Sequence, residues 1–426
     1  MGNTHVKAVE DVINPDAVTF ASLPVPLEHR IFLALPPDAR GRSSCVCRAW
    51  RKILRDPSLW TRLDMSSVRV QLFYAVLRGA ALRAGNKLLE LDLSQQHVKR
   101  DRMLPLLTPY AGTLRELRVH TLVHSLDNND SPTVEAVVAA APLLQVLTAE
   151  RMACTWKDAP RVLRAEPPFA LLQLGGSLAV QFDNHAGDVG GMERSSPFGD
   201  ALADASLQPA LKALSFFDAD AAQPALMDTL VDAALARRLR ELALHNGTHP
   251  AAAPLARLLA GGALTVLKIG PFSAAVGHMP LFDVDGAALV ADALRVNTML
   301  TKLHLFGARL CLVDVRVAEV LLAALVGHPS LRELQIIDRE TMAHDRDAFG
   351  AALAALIAAD APALHVLVFC NSLGDDGLAP FMEALPLNRN LRKLNLRYNG
   401  MSEEFAHERL LPAVQRKHDV AGTLVR

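Results

Sequence analysis

The feature that most constrains this chain is a self-similar run of leucines. The pattern Leu-x-x-Leu-x-apolar occurs at Leu88-Leu91-Leu93, Leu114-Leu117-Val119, Leu211-Leu214-Phe216, Leu239-Leu242-Leu244, Leu264-Leu267-Ile269 and Leu300-Leu303-Leu305. It continues at Leu331-Leu334-Ile336, Leu364-Leu367-Phe369 and Leu391-Leu394-Leu396, with weaker copies at Leu144-Leu147-Ala149 and Phe169-Leu172-Leu174. The starts run from 88 to 391, so successive copies lie about 30 residues apart. A unit this short cannot bury its apolar face alone. It must stack on its neighbours, which dictates a solenoid in place of a closed core.

The first, fourth and sixth positions of each copy point inward, and the positions between them line the open face of a strand. Parallel strands need a crossover to return. The intervening stretches supply helical ones, such as PALMDTLVDAALARRL, DVDGAALVADALRVNTML, VAEVLLAALVGHPSL and GLAPFMEALPLNRNL. Such stretches close with Asn, His or Pro just before the next strand leucine. The whole resembles the leucine-rich repeat of the ribonuclease-inhibitor type. That resemblance implies an α/β solenoid, with a parallel sheet on the concave side and helices on the convex side. Only LRKLNLRYNGM keeps the full motif, with Asn399 at the ladder position; elsewhere Gln96, Gly247, Ala308 or Arg339 stands there.

Upstream, residues 23–60 read LPVPLEHRIFLALPPDARGRSSCVCRAWRKILRDPSLW. Leu27, Ile31 and Leu35 form one helical stripe, Pro36-Pro37 end that helix, and Val46, Trp50 and Leu54 repeat the spacing. So short a unit cannot bury all of these side chains within itself. The stretch resembles an F-box through Leu23-Pro24, Ile31-Phe32-x-x-Leu35-Pro36, Val46-Cys47-Arg48-x-Trp50-Arg51 and Leu59-Trp60. The resemblance implies a small all-α domain that docks the Skp adaptor of a cullin–RING ubiquitin ligase. On that reading Leu23, Pro24, Leu27, Ile31, Phe32, Leu35, Val46, Trp50, Leu59 and Trp60 divide between adaptor contact and the domain's own core. Residues 20–64 hold eight Lys/Arg against four Asp/Glu, a net +4. That suits steering toward an adaptor whose family is acidic.

Composition narrows the rest. Hydrophobic residues make up 51% but aromatics only 5%, so leucine and alanine build the core. A net charge of −1 argues against a general nucleic-acid binder. Five cysteines, an odd number, argue against a disulfide framework, and Cys45-x-Cys47 lacks a second ligand pair for zinc. No basic start followed by an apolar stretch marks a secretory signal, and Val6 stands where a myristoylation site needs Ser or Thr. No apolar run reaches membrane-spanning length. These readings predict a soluble protein, cytoplasmic, nuclear or both.

The domain plan that follows is a flexible tail (1–19), an F-box (20–64), a helical connector (65–87), leucine-rich repeats (88–400) and a C-terminal cap (401–426). Glycine- and serine-rich residues 183–200 read as an inserted loop. No phosphate loop, nucleophile elbow or metal helix is present in the sequence, so no catalytic residue, metal or cofactor is assigned. Specificity is expected on the exposed strand positions. Phe217, His245, His304, Phe306 and Ile337 are the candidate substrate contacts, because large apolar groups on a concave face serve as interface anchors. The reading is a non-catalytic substrate receptor of a Skp–cullin–F-box ligase with an unknown protein substrate. The alternative is a repeat scaffold or GTPase regulator, which would need a loop arginine such as Arg309 or Arg339.

Overall fold

The computed structural model describes residues 20, 23–66, 68, 73–85, 87–123, 132–155, 157–166, 169, 172–181, 197–217, 224–245, 251–270, 282–306, 315–337, 346–370 and 372–421. Three short helices come first: α1 (Val25–Ala34), α2 (Pro37–Ser43) and α3 (Arg48–Ile53), then a 3-10 turn over Pro57–Trp60. Pro36 and Pro37 separate α1 from α2 because proline is tolerated at a helix start and not within one. The Cys47 sulfur caps α3 by accepting the Trp50 N–H at 3.4 Å.

Strand and helix then alternate. The order is β1 (Arg62–Asp64), α4 (Phe73–Ala84), β2 (Glu90–Leu93), α5 (Arg100–Leu107), β3 (Glu116–Val123), α6 (Val134–Ala140), β4 (Val146–Thr155), α7 (Ala159–Leu163), β5 (Leu172–Gln181), α8 (Pro197–Ala203) and β6 (Ala213–Phe217). There follow α9 (Pro224–Arg237), β7 (Glu241–His245), α10 (Ala252–Gly261), β8 (Val266–Ile269), α11 (Val284–Val296), β9 (Lys302–Phe306), α12 (Val315–Leu325), β10 (Glu333–Ile337) and α13 (Arg346–Ala358). The chain closes with β11 (Val366–Cys370), α14 (Gly374–Ala384), β12 (Lys393–Asn395), α15 (Glu403–Phe405), a π-helical turn over Ala406–Leu410, and α16 (Leu411–Ala421).

Among the described residues the twelve strands form one parallel sheet in sequence order. This is the expected leucine-rich-repeat solenoid. The inward leucines stack in register, Leu91 on Leu117 on Leu147 and Leu303 on Leu334 on Leu367 on Leu394, and all are buried. Buried polar side chains fasten one repeat to the next on the helical side. Asn297 donates to the Leu259 carbonyl (2.6 Å) and accepts from the Met299 and Leu300 amides. Asn388 repeats this with the Ile357 carbonyl (2.9 Å) and the Asn390 and Leu391 amides. His328 takes the accepting half of the role, its Nδ1 receiving the Ser330 and Leu331 amides. These side chains satisfy backbone groups that would otherwise be orphaned where helix gives way to strand. At the turns after the strands, Gln96 and Asn399 do the same. Gln96 donates to the Met65 and Val68 carbonyls, and Asn399 to those of Phe369 and Leu396.

Three features depart from the sequence reading. First, the repeats begin earlier. Trp60-x-x-Leu63-x-Met65 is a further copy, all three residues are buried, and β1 pairs with β2 through Leu63 and Leu91. Residues 65–87 are therefore the first crossover, carrying α4, and not a separate connector. Second, the end of the expected 183–200 loop is helical, since α8 starts at Pro197; residues 182–196 lie outside the described residues, as do 1–19. The buried Arg237 guanidinium holds α8 by donating to the carbonyls of Ala201, Leu202, Asp204 and Leu207.

Third, the sheet is stepped. Leu117 of β3 aligns with Leu147 and Leu172, whereas the core row of the later repeats, Leu178 with Leu214, aligns with Met152 and Leu122. The later row is displaced by five residues along β3 and β4, about 17 Å at the usual strand rise. The weak copies at 144 and 169 are thus long strands serving both rows. A bulge after Ala149 adjusts the register, and Gly175 opposite it leaves room for Glu150, whose carboxylate would lie 2.8 Å from a β-carbon there. The start of β5, which β6 does not reach, is closed by Gln208. Its Oε1 accepts from the Leu174 amide at 2.9 Å and its Nε2 donates to the Leu172 carbonyl at 3.3 Å.

Candidate functional site

Burial divides the ten residues singled out in the N-terminal domain. Phe32, Leu59 and Trp60 are sealed in its core and cannot touch a partner directly, which corrects their assignment as adaptor contacts. Phe32 makes an aromatic cluster with Phe20 and Trp50 at centroid distances of 5.0–5.5 Å. The Trp60 indole donates to the Leu54 carbonyl at 2.9 Å and lies beneath the Arg83 guanidinium of α4 at 5.0 Å. Arg40 is buried too. Its guanidinium donates to the carbonyls of Leu33, Leu35 and Leu59, and desolvation lowers its pKa. Leu23, Leu35 and Trp50 are half-buried, and Pro24 is exposed.

Leu27 (44% exposed), Ile31 (40%) and Val46 (65%) face outward, joined by Val25 (61%). Two of the three stripe residues, Leu27 and Ile31, are therefore turned to solvent, Leu35 packs partly on the core, and Phe32 is the residue turned in. With Leu33 (45%), five large aliphatics are exposed among the described residues of this small domain, an exposure of the kind that marks interaction surfaces.

Residues 20–66 match the F-box-like family model. The N-terminal domain is an F-box-like domain. Putative F-box/LRR-repeat protein 22 of Arabidopsis thaliana is 30% identical over 105 residues, which are 24% of this chain and 34% of that protein. F-box/LRR-repeat protein 12 of Bos taurus is 28% identical over 194 residues, 38% of this chain and 57% of that protein. The chain thus spans between about a third and somewhat over half the length of these relatives. Among solved structures, the Rad7 and Elc1 complex of yeast contains a chain with a TM-score of 0.35 and 13% identity. It covers 91% of this chain and 96% of that one, a likeness too slight to argue from.

The F-box-like domain is fixed to the repeats through β1 and Trp60. Its β1 begins the open face of the sheet, on which the candidate substrate contacts fall less evenly than the sequence reading placed them. Phe217 pairs with His245, and Phe306 with Ile337 and then Cys370, so the expected row exists in the backbone. The Phe217 side chain lies outside the described residues. His245, Phe306 and Ile337 are half-buried, and His245 Nδ1 lies 2.8 Å from the Gly270 carbonyl. His304 is not an available contact: it is buried, its Nε2 pairs with Glu333 Oε1 at 3.1 Å, and Phe306 packs edge-on against its ring.

Glu333 gathers this region. Lys302 lies 3.1 Å from its carboxylate, and Gln335 donates to it at 2.5 Å. Burial pushes the Glu333 pKa up, but Gln335, Lys302 and His304 outweigh it and the net shift is downward. Burial also lowers the His304 pKa, against the pull of Glu333, so the ring is neutral at pH 7. Arg309 and Arg339 lie outside the described residues. Among the described residues no group of three or more His, Cys, Asp or Glu side chains is arranged to hold a metal ion, and no helix is long and apolar enough to cross a membrane.

Proposed function

We propose that this chain is the substrate receptor of a Skp–cullin–F-box ubiquitin ligase. The F-box-like domain docks a Skp-type adaptor, the repeats hold a protein substrate, and the chain performs no chemistry itself. One observation carries this reading: Val25, Leu27, Ile31 and Val46 stand in solvent on a domain that buries Phe32 and Trp60. These side chains are 40–65% exposed, so covering one is worth roughly half of the about 1.5–3 kcal/mol for full burial, and the four together support a stable adaptor interface. Substrate is held on the open face, with Phe217, His245, Phe306 and Ile337 as its contacts. The protein then works in the cytoplasm, the nucleus or both.

The test is capture of a Skp-type adaptor and a cullin by Leu27→Asp/Ile31→Asp. Binding is expected to weaken by about 2 kcal/mol or more, while the melting of the repeats is unchanged. Undiminished capture by this folded variant would refute the docking surface. A fourfold change to Ser at Phe217, His245, Phe306 and Ile337 should leave adaptor binding intact and abolish substrate ubiquitination.

A further inference from the structure

A cleft of about 590 Å³ lies where the F-box-like domain meets the start of the sheet. Leu33 of α1, half in solvent, forms one wall. The open faces of β1–β5 form the other. The register places Arg62, Glu90, Glu116 and Val146 in one row and Asp64, Asp92, Arg118, Thr148 and Gln173 in the next.

The charges in these rows do not cancel. Arg62 pairs with Glu90 at 3.1 Å and Arg118 with Asp92 at 3.5 Å, which commits both strand guanidiniums. Arg40 lies near Asp64 and attracts it, but its guanidinium N–H groups are turned to three backbone carbonyls and make no ion pair with that carboxylate. Asp64 and Glu116 remain, both exposed. Asp64 is held by the Ser66 amide and hydroxyl through one carboxylate oxygen, Oδ1. Counting the charged lining of the cleft, Arg40, Arg62 and Arg118 face Asp64, Glu90, Asp92 and Glu116, a net −1. On β7–β12 the balance reverses: Lys268, Lys302 and Lys393 face Glu241 and Glu333, a net +1. Between the two, β5 and β6 present Ser177, Ala179, Ala213 and Ser215, which carry no charge.

We infer that this cleft takes a basic segment of a partner protein, with lysine or arginine heads against Asp64 and Glu116 and their aliphatic stems along Leu33. Long cationic side chains suit a site with an apolar wall and a carboxylate floor. Nucleic acid is disfavoured, because a net negative cleft repels phosphates. The reversal of sign along the sheet also sets direction: the basic part of the segment lies at the F-box end, and an acidic part is tolerated toward β9–β12. This rests on the receptor reading only in naming the segment as part of the substrate.

The test is fluorescence anisotropy on the full chain, with a labelled peptide of alternating lysine and serine and its glutamate–serine counterpart. The lysine peptide is expected to bind the more tightly, and added salt to weaken it. Asp64→Asn/Glu116→Gln should reduce its affinity roughly tenfold. Glu403→Gln/Glu404→Gln removes equal charge from exposed positions on α15 and should leave the affinity unchanged. Glu116→Lys alone, at an exposed strand position, should weaken the lysine peptide and strengthen the glutamate one. Equal loss in the α15 variant, no preference between peptides, or full displacement of the lysine peptide by spermine at matched charge would each overturn the proposal. Adaptor capture is measured on the same proteins. Its failure in the unaltered chain would sink the receptor reading alone, whereas lost peptide discrimination with capture intact would sink the cleft alone.

Discussion

Replacing Asn388 by alanine tests whether buried polar side chains fasten the repeats together. The side chain serves three backbone groups, and they do not suffer equally. The Ile357 carbonyl keeps the Asp360 amide at 3.1 Å, and the Asn390 amide keeps Asp360 Oδ1 at 3.3 Å. The Leu391 amide, held by Asn388 Oδ1 at 2.7 Å, is left buried without an acceptor. An orphaned buried donor costs about 1–3 kcal/mol, and the two replaceable bonds add roughly 1 kcal/mol between them, so the loss should be about 2–4 kcal/mol. A repeat array need not unfold in one step, so a global melting curve is a poor readout. Native-state hydrogen exchange at Leu391 and along β12 reports the affected repeat directly. Arg389→Ala removes an exposed neighbouring side chain that supplies no such bond, and should stay within about 0.5 kcal/mol. If Asn388→Ala exchanges no faster at Leu391 than Arg389→Ala, the fastening role is wrong.

Leu303→Ala and Leu334→Ala should each cost about 2–5 kcal/mol and Lys302→Ala less than about 0.5, with Glu333→Ala between them because it strips the partner from buried His304; equal thermal shifts across the set would refute this register. Gly270→Ala should cost more than about 2 kcal/mol, since φ is +95° and the new β-carbon would sit 1.8 Å from the Phe306 carbonyl oxygen; an unchanged urea midpoint would exclude that close approach. Burial lowers the pKa of His304 and His328. The fold therefore holds both rings neutral, their contribution is complete above the unfolded value near 6.5, and stability falls as pH drops from there toward the folded values. His328→Asn keeps an acceptor for the Leu331 amide but cannot titrate, so denaturant melts between about pH 7 and 5 should show a shallower decline than the unaltered chain.

The solenoid could be read from the sequence because its constraint is periodic. Leucines at three fixed positions about 30 residues apart admit few alternatives to a stacked parallel ladder. The first copy was hidden because its lead residue is Trp60, which the F-box motif claims as its own last residue. The step at β4 and β5 had a trace in the sequence, the lengthened interval before Leu211 and the Gly175-Gly176 pair, but strand register depends on partners that spacing does not name. Which F-box apolar residues face out was not legible for a similar reason. Leu27, Ile31 and Phe32 lie within six residues of one helix, and only packing against Phe20 and Trp50 decides that Phe32 turns inward. Strand alternation turns His304 toward the open face, but Glu333 and Phe306 cover it there, and such cover comes from neighbouring strands that the pattern does not name.

The overlap at β4 and β5 bears on how the molecule comes apart. Apart from the seven paired positions that join β3 to β4, a repeat elsewhere meets its neighbour along three to five, and fraying from an end can proceed one repeat at a time. Here eight pairs run from Leu147 with Leu172 to Thr155 with Gln181, interrupted once by the bulge after Ala149. A disruption travelling inward from α16 or from β1 meets its longest seam at this point, so the splice between the two rows acts as a firebreak. Damage to one end of the solenoid would then spare the other, leaving the F-box-like domain standing on a folded stump when the distal repeats are lost.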